Sequence, residues 1–252
     1  MKFDISVIIP SIRVQNLLKI QFMLDRAIEP YSHEIIVVSP YDVPIDGVKV
    51  IRDFGSPSRC VQMGSCLAEG KLLMWLSDDC TFITPRSLAQ CIQLFESGQA
   101  TEKDGITLRY FEGEGNGEFP LDYWRGKHHG DMQKLAGIPD DYKIAPLGMY
   151  NTNYFRELGG LDCRFLHINM NTHDLSFRIQ NNGGKIILSH QSCANFYWSW
   201  VTTDAKPIQR AYFENDKKLF EEIWDKDQTQ RIKIDYYNWT DAESKWNMRF
   251  GR

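Results

Sequence analysis

The sequence predicts an α/β domain in which helices flank a mostly parallel central sheet. Short apolar runs alternate with segments of helical periodicity through residues 1–100. Runs that are apolar at nearly every position are typical of strands covered on both faces. The 252 residues, of which 42% are hydrophobic, are enough for one large core. We therefore expect one domain, residues 1–200, and a helical and irregular C-terminal extension, residues 201–252, packed on it.

The first elements form a strand, a helix and a second strand. Residues 5–10 and 34–38 are the predicted strands, and between them four apolar residues recur at near-helical spacing: Leu17, Ile20, Leu24 and Ile28. Ser56 followed by Pro57 predicts the start of the next helix, because serine caps well and proline fits the first helical position. Residues 72–76 then return as a buried strand.

The later elements are less regular. Thr84 and Pro85 predict a further helix. Residues 101–145 are rich in glycine, charged and aromatic residues, which indicates a long functional loop region. Shorter elements are expected after it: a helix at 154–158, a helix that Thr172 caps, a strand at 185–189 and an amphipathic tail helix around 212–223.

Composition indicates which binding partners and which cellular compartment to expect. The net charge of -4 gives no overall reason to bind a polyanion, which disfavours nucleic acid as a partner. The six cysteines form no CxxC pair and are interpreted as reduced thiols. The chain shows no charged-then-apolar leader, and no run approaches the roughly 20 apolar residues of a membrane helix. We expect a cytoplasmic protein without an integral membrane segment.

Two adjacent carboxylates, Asp78 and Asp79, follow the predicted strand at 72–76. Ligands of doubly wound sheets bind outside the carboxyl ends of the strands, so the pair lies where a site is expected. Carboxylates there supply hard oxygen ligands for Mg²⁺ or Mn²⁺, and such a cation can neutralise a diphosphate. The alternative is an ordinary turn in which the pair caps the next segment.

A second polar group, Thr172, His173 and Asp174, opens a predicted helix. The helix dipole stabilises a carboxylate in the first turn, and one that faces a cleft can accept a proton from an alcohol. The alternative is that Thr172 only caps the helix and that Asp174 complements its dipole. Taken alone, the two groups do not decide between a site and ordinary capping.

In their order along the chain, these motifs resemble family 2 glycosyltransferases of the GT-A (Rossmann-like) fold. The resemblance runs from about residue 3 to residue 200. Its pieces are residues 6–10, 34–38, 59–70, 76–79, 148–155, 159–162 and 173–175. Each piece is unspecific, and the ordered set carries the resemblance. It implies a nucleotide-sugar-binding half, residues 1–100, and an acceptor-binding half, residues 101–200.

The resemblance implies a donor site around the acidic pair. Asp79 becomes a direct ligand of Mn²⁺ or Mg²⁺, and Asp78 becomes a ribose contact or second metal ligand. His190 is the nearest match to a third metal ligand. The implied donor-binding residues are Pro10, Ser11, Arg13, Ser39, Arg59 and Asp78. The donor is a nucleotide sugar, with a UDP-sugar favoured.

On the acceptor side, the resemblance implies that Asp174 is the general base. It would deprotonate a hydroxyl of a glycan or small-molecule acceptor for in-line attack at the anomeric carbon, which inverts that centre. The implied acceptor-binding residues are Gly148, Asp162, His173 and Trp198. The implied activity is a metal-dependent, inverting sugar transfer from a nucleotide sugar to a hydroxyl.

Three positions depart from the family pattern. Ser39 stands where the family has an Asp that contacts the nucleoside, and Asp42 is a nearby substitute. Ser77 replaces the first Asp of the acidic motif, and His173 replaces the Glu before the base. The first departure leaves the identity of the donor undecided. The other two keep the metal-binding carboxylate and the base carboxylate.

Other functions stay open at the level of sequence. A sugar nucleotidyltransferase shares a similar sheet but needs a Gly-rich loop after the first strand, and residues 11–15 contain no glycine. A non-catalytic sugar- or nucleotide-binding module on the same scaffold is a second alternative, which the joint presence of Asp78, Asp79 and Asp174 opposes. A glycosyltransferase that acts on modified nucleic acid is a third, which the negative net charge disfavours.

Overall fold

The computed structural model describes residues 1–112, 119–121, 142–196, 210–224 and 230–242. The strands are β1 (Phe3–Pro10), β2 (His33–Ser39), β3 (Lys49–Arg52), β4 (Gly70–Trp75), β5 (Cys80–Ile83), β6 (Gly105–Glu112), β7 (Phe119–Leu121), β8 (Gly148–Asn151) and β9 (Ile186–Phe196). The helices are α1 (Leu17–Ile28), α2 (Pro57–Leu67), α3 (Ser87–Glu96), α4 (Thr152–Glu157), α5 (Ile168–Asn181) and α6 (Lys217–Ile223). A π-helical turn, Tyr212–Asp216, leads directly into α6, and short 3-10 helices lie at Val14–Asn16 and Asn238–Asp241.

The strands of the described chain form one sheet in the order β3-β2-β1-β4-β8-β6-β9-β5, with β7 beside β6. β1, β2, β3 and β4 are parallel to one another. β8 lies antiparallel between β4 and β6, so β6 and its parallel neighbour β9 run in the same direction as β4. β5 and β7 run in the opposite direction. The sheet is therefore mostly parallel with helices on both faces, which confirms the predicted fold class.

The apolar side chains of β1 divide between the two faces of the sheet. Val7 and Ile9 belong to the cluster that includes α1 and α3, whereas Ile8 belongs to the cluster that includes α2, α4 and α5. All three are buried, and burial contributes about 1.5–3 kcal/mol for each large aliphatic side chain. Coverage on both faces explains why the strand is apolar at consecutive positions.

A third apolar cluster attaches the C-terminal helix to α5. Its buried members are Ile144, Phe165, Met170, Phe177, Phe220, Ile223 and Trp224. The rings of Phe177 and Trp224 meet edge to face with centroids 5.3 Å apart, a geometry that adds about 0.5–1.5 kcal/mol to area burial. The amphipathic tail helix predicted from the sequence is therefore present as the π-helical turn and α6.

The predicted loop region at 101–145 contains a strand of the sheet. β6 lies between β8 and β9, and its Ile106 and Leu108 are buried. Residues 105–112 contain this apolar run, but the glycines and charges that follow outweigh it in the composition of the region. The prediction is thus wrong for 105–112. Residues 113–118 and 122–141 lie outside the described part of the chain.

The cysteines of the described chain are thiols, as predicted. Cys60, Cys80, Cys91 and Cys163 are buried, and Cys66 is exposed. Burial of a thiol is ordinary for a side chain that packs as a small hydrophobe.

Within the described residues, no helix combines the length and the apolar character that crossing a bilayer requires.

Candidate functional site

The carboxyl ends of β1, β2 and β4 meet at one edge of the sheet because these strands are parallel. Ser11 follows β1, Ser39 ends β2, and Asp78 and Asp79 follow β4. Gly148 reaches the same edge, because β8 begins there and runs antiparallel to β4. Ligands bind outside this edge in open α/β sheets. The structure therefore brings these predicted site residues, which are far apart in the sequence, to one place.

Asp78 holds the loop that follows β1. Its Oδ2 accepts hydrogen bonds from the Ile12 amide at 2.8 Å, the Arg13 amide at 2.7 Å and the Ser11 hydroxyl at 3.2 Å. Its Oδ1 pairs with Arg13 Nη1 at 2.7 Å, and the Asn16 side chain donates to its carbonyl at 2.9 Å. A carboxylate with these donors is satisfied. The structure gives Asp78 a loop-holding role in place of the predicted contact with ribose or metal.

Asp79 has a different environment. It is 8% exposed. Burial raises the pKa of Asp79 to about 6; the charge of Asp78 acts in the same direction, and a hydrogen bond from Ser77 acts in the opposite one. A desolvated carboxylate beside a like charge gains strongly from a nearby cation, because positive charge offsets both penalties.

Asp79 fits the predicted divalent cation. Mg²⁺ and similar hard cations are commonly bound by one or two carboxylates together with substrate phosphates and water, and Asp79 offers one such carboxylate. Across the described ranges, no three acidic, histidine or cysteine side chains group into a complete metal site. The side chain of His190, the predicted third ligand, lies outside the described residues. A cation here would therefore depend on ligands from the donor diphosphate.

Ser39 and Asp53 connect this edge to α2. The buried Ser39 hydroxyl accepts a hydrogen bond from the Tyr41 amide at 3.1 Å, and the Asp53 amide donates to the Ser39 carbonyl at 3.2 Å. Asp42, the substitute expected from the sequence, has 96% of its side chain exposed and pairs with Arg52 at the surface. Asp42 therefore stays a predicted nucleoside contact, and a buried carboxylate, Asp53, also lies beside the end of β2.

Arg59 is held by Asp53 on one side and by the C-terminal segment on the other. Its Nε and Nη2 donate to the two carboxylate oxygens of Asp53 at 3.0 and 2.9 Å, a bidentate arrangement. Its Nη1 donates to the Trp239 carbonyl, and the guanidinium lies over the Trp239 ring, 5.4 Å from the centroid. With 6% of its side chain exposed, Arg59 joins parts of the fold and offers little surface to a donor.

The helix of the predicted general base begins earlier than the sequence indicated. α5 starts at Ile168 with His167 as its N-cap, so Thr172 is not a cap and Asp174 lies in the second turn. α5 precedes β9, which runs in the same direction as β6. The first turn of α5 therefore lies toward the carboxyl-end edge of the sheet, and Asp174 lies one turn farther from it.

Asp174 has no exposed surface. Its Oδ2 accepts a hydrogen bond from Arg178 Nε at 2.8 Å. Its Oδ1 accepts one from the Trp224 indole at 3.1 Å and pairs with Arg231 Nη1 at 3.2 Å. An acceptor hydroxyl does not reach a carboxylate enclosed in this way. We therefore correct the assignment of Asp174 from general base to buried structural anchor.

Asp162 is enclosed in a similar way. Its Oδ2 pairs with Arg164 and with Arg231, each at 2.6 Å. Burial alone would raise the pKa of Asp162, but the hydrogen bonds and charges of the two guanidiniums outweigh burial and lower the pKa to about 2. The carboxylate is thus ionised and committed to the two arginines, which leaves it poorly placed for the predicted acceptor contact.

His173 and Gly148 have packing roles. His173 is buried, and its ring meets the Phe177 ring edge to face with centroids 6.4 Å apart. Gly148 leaves room for the Tyr150 ring, which a Cβ at position 148 would overlap. Trp198 lies outside the described residues. The predicted acceptor residues thus do not form an exposed surface in the described part of the chain.

Sequence reasoning missed Asn16, Asp53 and Arg231. Asp53 carried a usable signal, because it is a carboxylate directly after a strand, as Asp78 and Asp79 are. Asn16 carried none, since one amide in a loop is common. Arg231 lies in an aperiodic tail, 69 positions from its partner Asp162, and a local pattern does not reveal such a pairing.

The comparison with known proteins rests on structure. No protein-family model matches the sequence, and no curated protein matches it. The fold matches S. aureus TarS 1-349 with a TM-score of 0.58 and 14% identity, over 97% of this chain and 73% of that chain. The complex of S. aureus TarS 1-349 with UDP matches with a TM-score of 0.58 and 13% identity, over 99% of this chain and 72% of that chain.

A further solved structure, GalNAc-T7 with UDP, GalNAc and Mn²⁺, matches with a TM-score of 0.56 and 15% identity, over 77% of this chain and 44% of that chain. At such identities the likeness establishes the fold and leaves the activity open. TarS and GalNAc-T7 are both GT-A glycosyltransferases. This chain, with its mixed α/β sheet and its acidic pair after β4, therefore has a GT-A-like fold.

Proposed function

We propose that the protein is a glycosyltransferase that takes a sugar from a nucleotide-sugar donor with the help of a divalent cation. The observation that carries the proposal is Asp79, a desolvated carboxylate at the carboxyl-end edge of a GT-A-like sheet. A turn residue without such a role is ordinarily solvated, because burial of a charge costs free energy unless a partner offsets it. Mn²⁺ or Mg²⁺ would be that partner.

The cation would neutralise the diphosphate of the departing nucleotide. Asp79 would hold it from the protein side, and because its raised pKa keeps a proton on the carboxyl up to about pH 6, binding of the cation would release that proton and strengthen as pH rises. Asp78 would act on the donor through the loop after β1, whose amides at Ile12 and Arg13 it fixes. The part of Arg13 that stays accessible, 20% of its side chain, lies beside the same carboxylates.

A UDP-sugar is the donor that we favour. Both TarS and GalNAc-T7 were solved with UDP, and the latter also with Mn²⁺. In the family that the sequence resembles, an acidic residue at the position of Ser39 contacts the nucleoside. Here Ser39 is buried, and its hydroxyl accepts a hydrogen bond from the Tyr41 amide. The donor-side contacts of this chain therefore differ from that pattern, and we expect selectivity among nucleotides to be set by the loop after β1.

For the acceptor we propose a hydroxyl of a glycan or a small molecule, with inversion at the anomeric carbon. This part of the proposal rests on the family resemblance. Inversion in one displacement needs a base at the acceptor hydroxyl. Because Asp174 is enclosed by Arg178, Trp224 and Arg231, the base of this proposal is a group other than Asp174.

A test of the donor proposal uses thermal unfolding with a panel of UDP- and GDP-sugars, each with Mn²⁺, Mg²⁺ or EDTA. Saturation at about 100 times Kd adds about 2.7 kcal/mol, which raises Tm by about 5–10 °C for a chain of this size. We expect Asp79→Ala to lose the metal-dependent shift. Asp25→Ala, which removes an exposed carboxylate of α1, is the matched control and keeps it.

The outcomes separate the competing functions. No shift with any nucleotide sugar and cation would overturn the glycosyltransferase proposal. A shift without donor hydrolysis or transfer would favour the non-catalytic binding module. Transfer to glycosylated or hydroxymethylated DNA, and not to glycans, would favour the nucleic-acid acceptor. The anomeric configuration of any product, read by NMR, tests inversion directly.

A further inference from the structure

We propose, resting on the function above, that Arg231 is a positioning residue that fixes residues 161–175, the start of α5 and the loop before it, by joining two buried aspartates. Arg231 Nη2 lies 2.6 Å from Asp162 Oδ2, and its Nη1 lies 3.2 Å from Asp174 Oδ1. Its own side chain is 11% exposed. One guanidinium therefore neutralises two carboxylates on different elements, which its planar fork of donors makes feasible.

The two aspartates belong to two segments, the loop before α5 and α5 itself, that are hydrogen-bonded to each other. The Asp162 amide donates to Asn171 Oδ1 at 2.8 Å, and Asn171 Nδ2 donates to the Asp162 carbonyl at 2.9 Å. This reciprocal pair fixes the loop that ends at Asp162 against the first turn of α5. Arg231 pairs with the carboxylates of both Asp162 and Asp174 and so joins the loop to the helix.

A second arginine, Arg178, also joins this loop to α5. Arg178 pairs with Asp174 and donates through Nη1 to the Leu158 carbonyl at 2.8 Å, and through Nη2 to the Gly160 carbonyl. Arg178 thereby attaches the loop 158–162 to the middle of α5. Arg231 attaches the same loop nearer its end, so the two arginines hold it at two points.

Of the loop 158–162 and α5, the first turn of α5 is the part nearest the candidate site, since it lies toward the same edge of the sheet as Asp79. It is anchored a second time from the C-terminal region. Asp216 accepts hydrogen bonds from the Leu166 amide at 2.9 Å and the His167 amide at 2.6 Å. Residues 210–224 and 230–242 therefore set the position of α5 through Asp216 and Arg231.

The loop that Asp78 holds is built without these contacts. The hydrogen bonds that hold the Asp78 carboxylate come from Ser11, Ile12 and Arg13, and none of the hydrogen bonds described for Asp78 involves residues 210–242. A change at Arg231 should therefore loosen residues 161–175 and leave donor binding at this loop intact. A purely global stabilising role would affect residues 161–175 and donor binding alike.

The experiment is hydrogen–deuterium exchange of wild type and of Arg231→Gln, Arg231→Lys and Lys233→Gln. We expect Arg231→Gln to raise amide exchange in residues 161–175 at least tenfold without changing α1. Arg231→Lys should restore part of the protection, because one ammonium reaches one of the two carboxylates. Lys233→Gln, which removes an exposed pair with Glu157 on the same segment, should leave exchange unchanged.

Donor binding is measured in parallel with UDP and Mn²⁺ as the probe, and we expect the affinity of Arg231→Gln to stay within twofold of wild type. Unchanged exchange in 161–175, or an equal rise in α1, would overturn the positioning role. If Arg231→Gln does not fold, Asp162→Asn/Arg231→Gln replaces it, and the same regional pattern is required. Failure of wild type to bind UDP would overturn the proposed function and leave the exchange result standing.

Discussion

Asp174 and Arg178 form an ion pair at 2.8 Å in which neither side chain has any exposed surface. They are one helical turn apart on α5, and both are bound by groups from elsewhere in the chain, the indole of Trp224 among them. A buried pair of this kind is costly to break, because the partner that remains keeps its charge in a medium that solvates it poorly.

Replacement of Asp174 by Asn should therefore destabilise the fold. The variant leaves the guanidinium of Arg178 without a carboxylate and Arg231 with only Asp162, and we expect the free energy of unfolding to fall by about 3–5 kcal/mol. Chemical denaturation measures it, with Asp42→Asn as a surface control within about 0.5 kcal/mol of wild type. A stable Asp174→Asn that binds donor and fails only in transfer would restore the general-base assignment.

Replacement of Asp79 by Asn should stabilise the protein above pH 6 in the absence of metal. The pKa of Asp79 is raised from 3.8 to about 6 in the folded state, so ionisation above pH 6 disfavours the fold by about 1–3 kcal/mol. The gain from Asn should shrink as pH falls from 6 to about 4, the window between the folded and unfolded pKa values, because the folded wild-type carboxyl takes up its proton first. Thermal unfolding from pH 4 to 8 measures this, and a less stable variant at pH 8 would contradict it.

Replacement of Asp78 by Asn should weaken donor binding through the loop after β1. The amide offers one acceptor oxygen, whereas the carboxylate accepts from Ile12, Arg13 and Ser11, and each unsatisfied buried donor costs about 1–3 kcal/mol. We expect UDP affinity in Mn²⁺ to fall at least about tenfold, equivalent to 1.4 kcal/mol. Titration calorimetry measures the affinity; an unchanged Kd would show that the loop keeps its shape without Asp78.

Replacement of Gly160 by Ala should cost more than replacement of Gly47 by Ala. Both glycines have positive φ, 67° and 76°, so each alanine adds about 1–2 kcal/mol of backbone strain. A Cβ at position 160 would also overlap the Gln62 amide, whereas nothing lies within 4 Å at position 47. We expect a further 1–3 kcal/mol or so at Gly160. Equal costs in denaturation would show that Gln62 moves aside freely.

Local signals account for what the sequence predicts well. The runs in β1, β2 and β4 are covered on both faces, so their apolar character is continuous and visible. Ser56 accepts a hydrogen bond from the Arg59 amide at 3.2 Å, as its capping position predicts. The location of Asp78 and Asp79 after a strand likewise follows from chain order alone, and the acidic pair was predictable for that reason.

What the sequence did not reveal depends on distant partners. His167 caps α5 through its ring, which accepts a hydrogen bond from the Asn169 amide at 3.0 Å, and histidine is not among the strongly preferred cap residues. Thr172 looked like the better cap, which placed Asp174 in the wrong turn. Asp78 and Asp174 both looked available, because most of their partners, Trp224 and Arg231 for Asp174 among them, come from other segments of the chain.

The bridge from Arg231 to Asp162 and Asp174 also bears on how the chain folds during synthesis. Domains tend to fold as units as they leave the ribosome, yet here the guanidinium that joins two buried carboxylates is synthesised 69 positions after the first of them. The sheet and α5 can be complete in sequence while this link between Asp162 and Asp174 is still absent. We therefore expect nascent chains that end before residue 231 to stay open to proteases around residues 158–181, and to close there only once the tail has emerged.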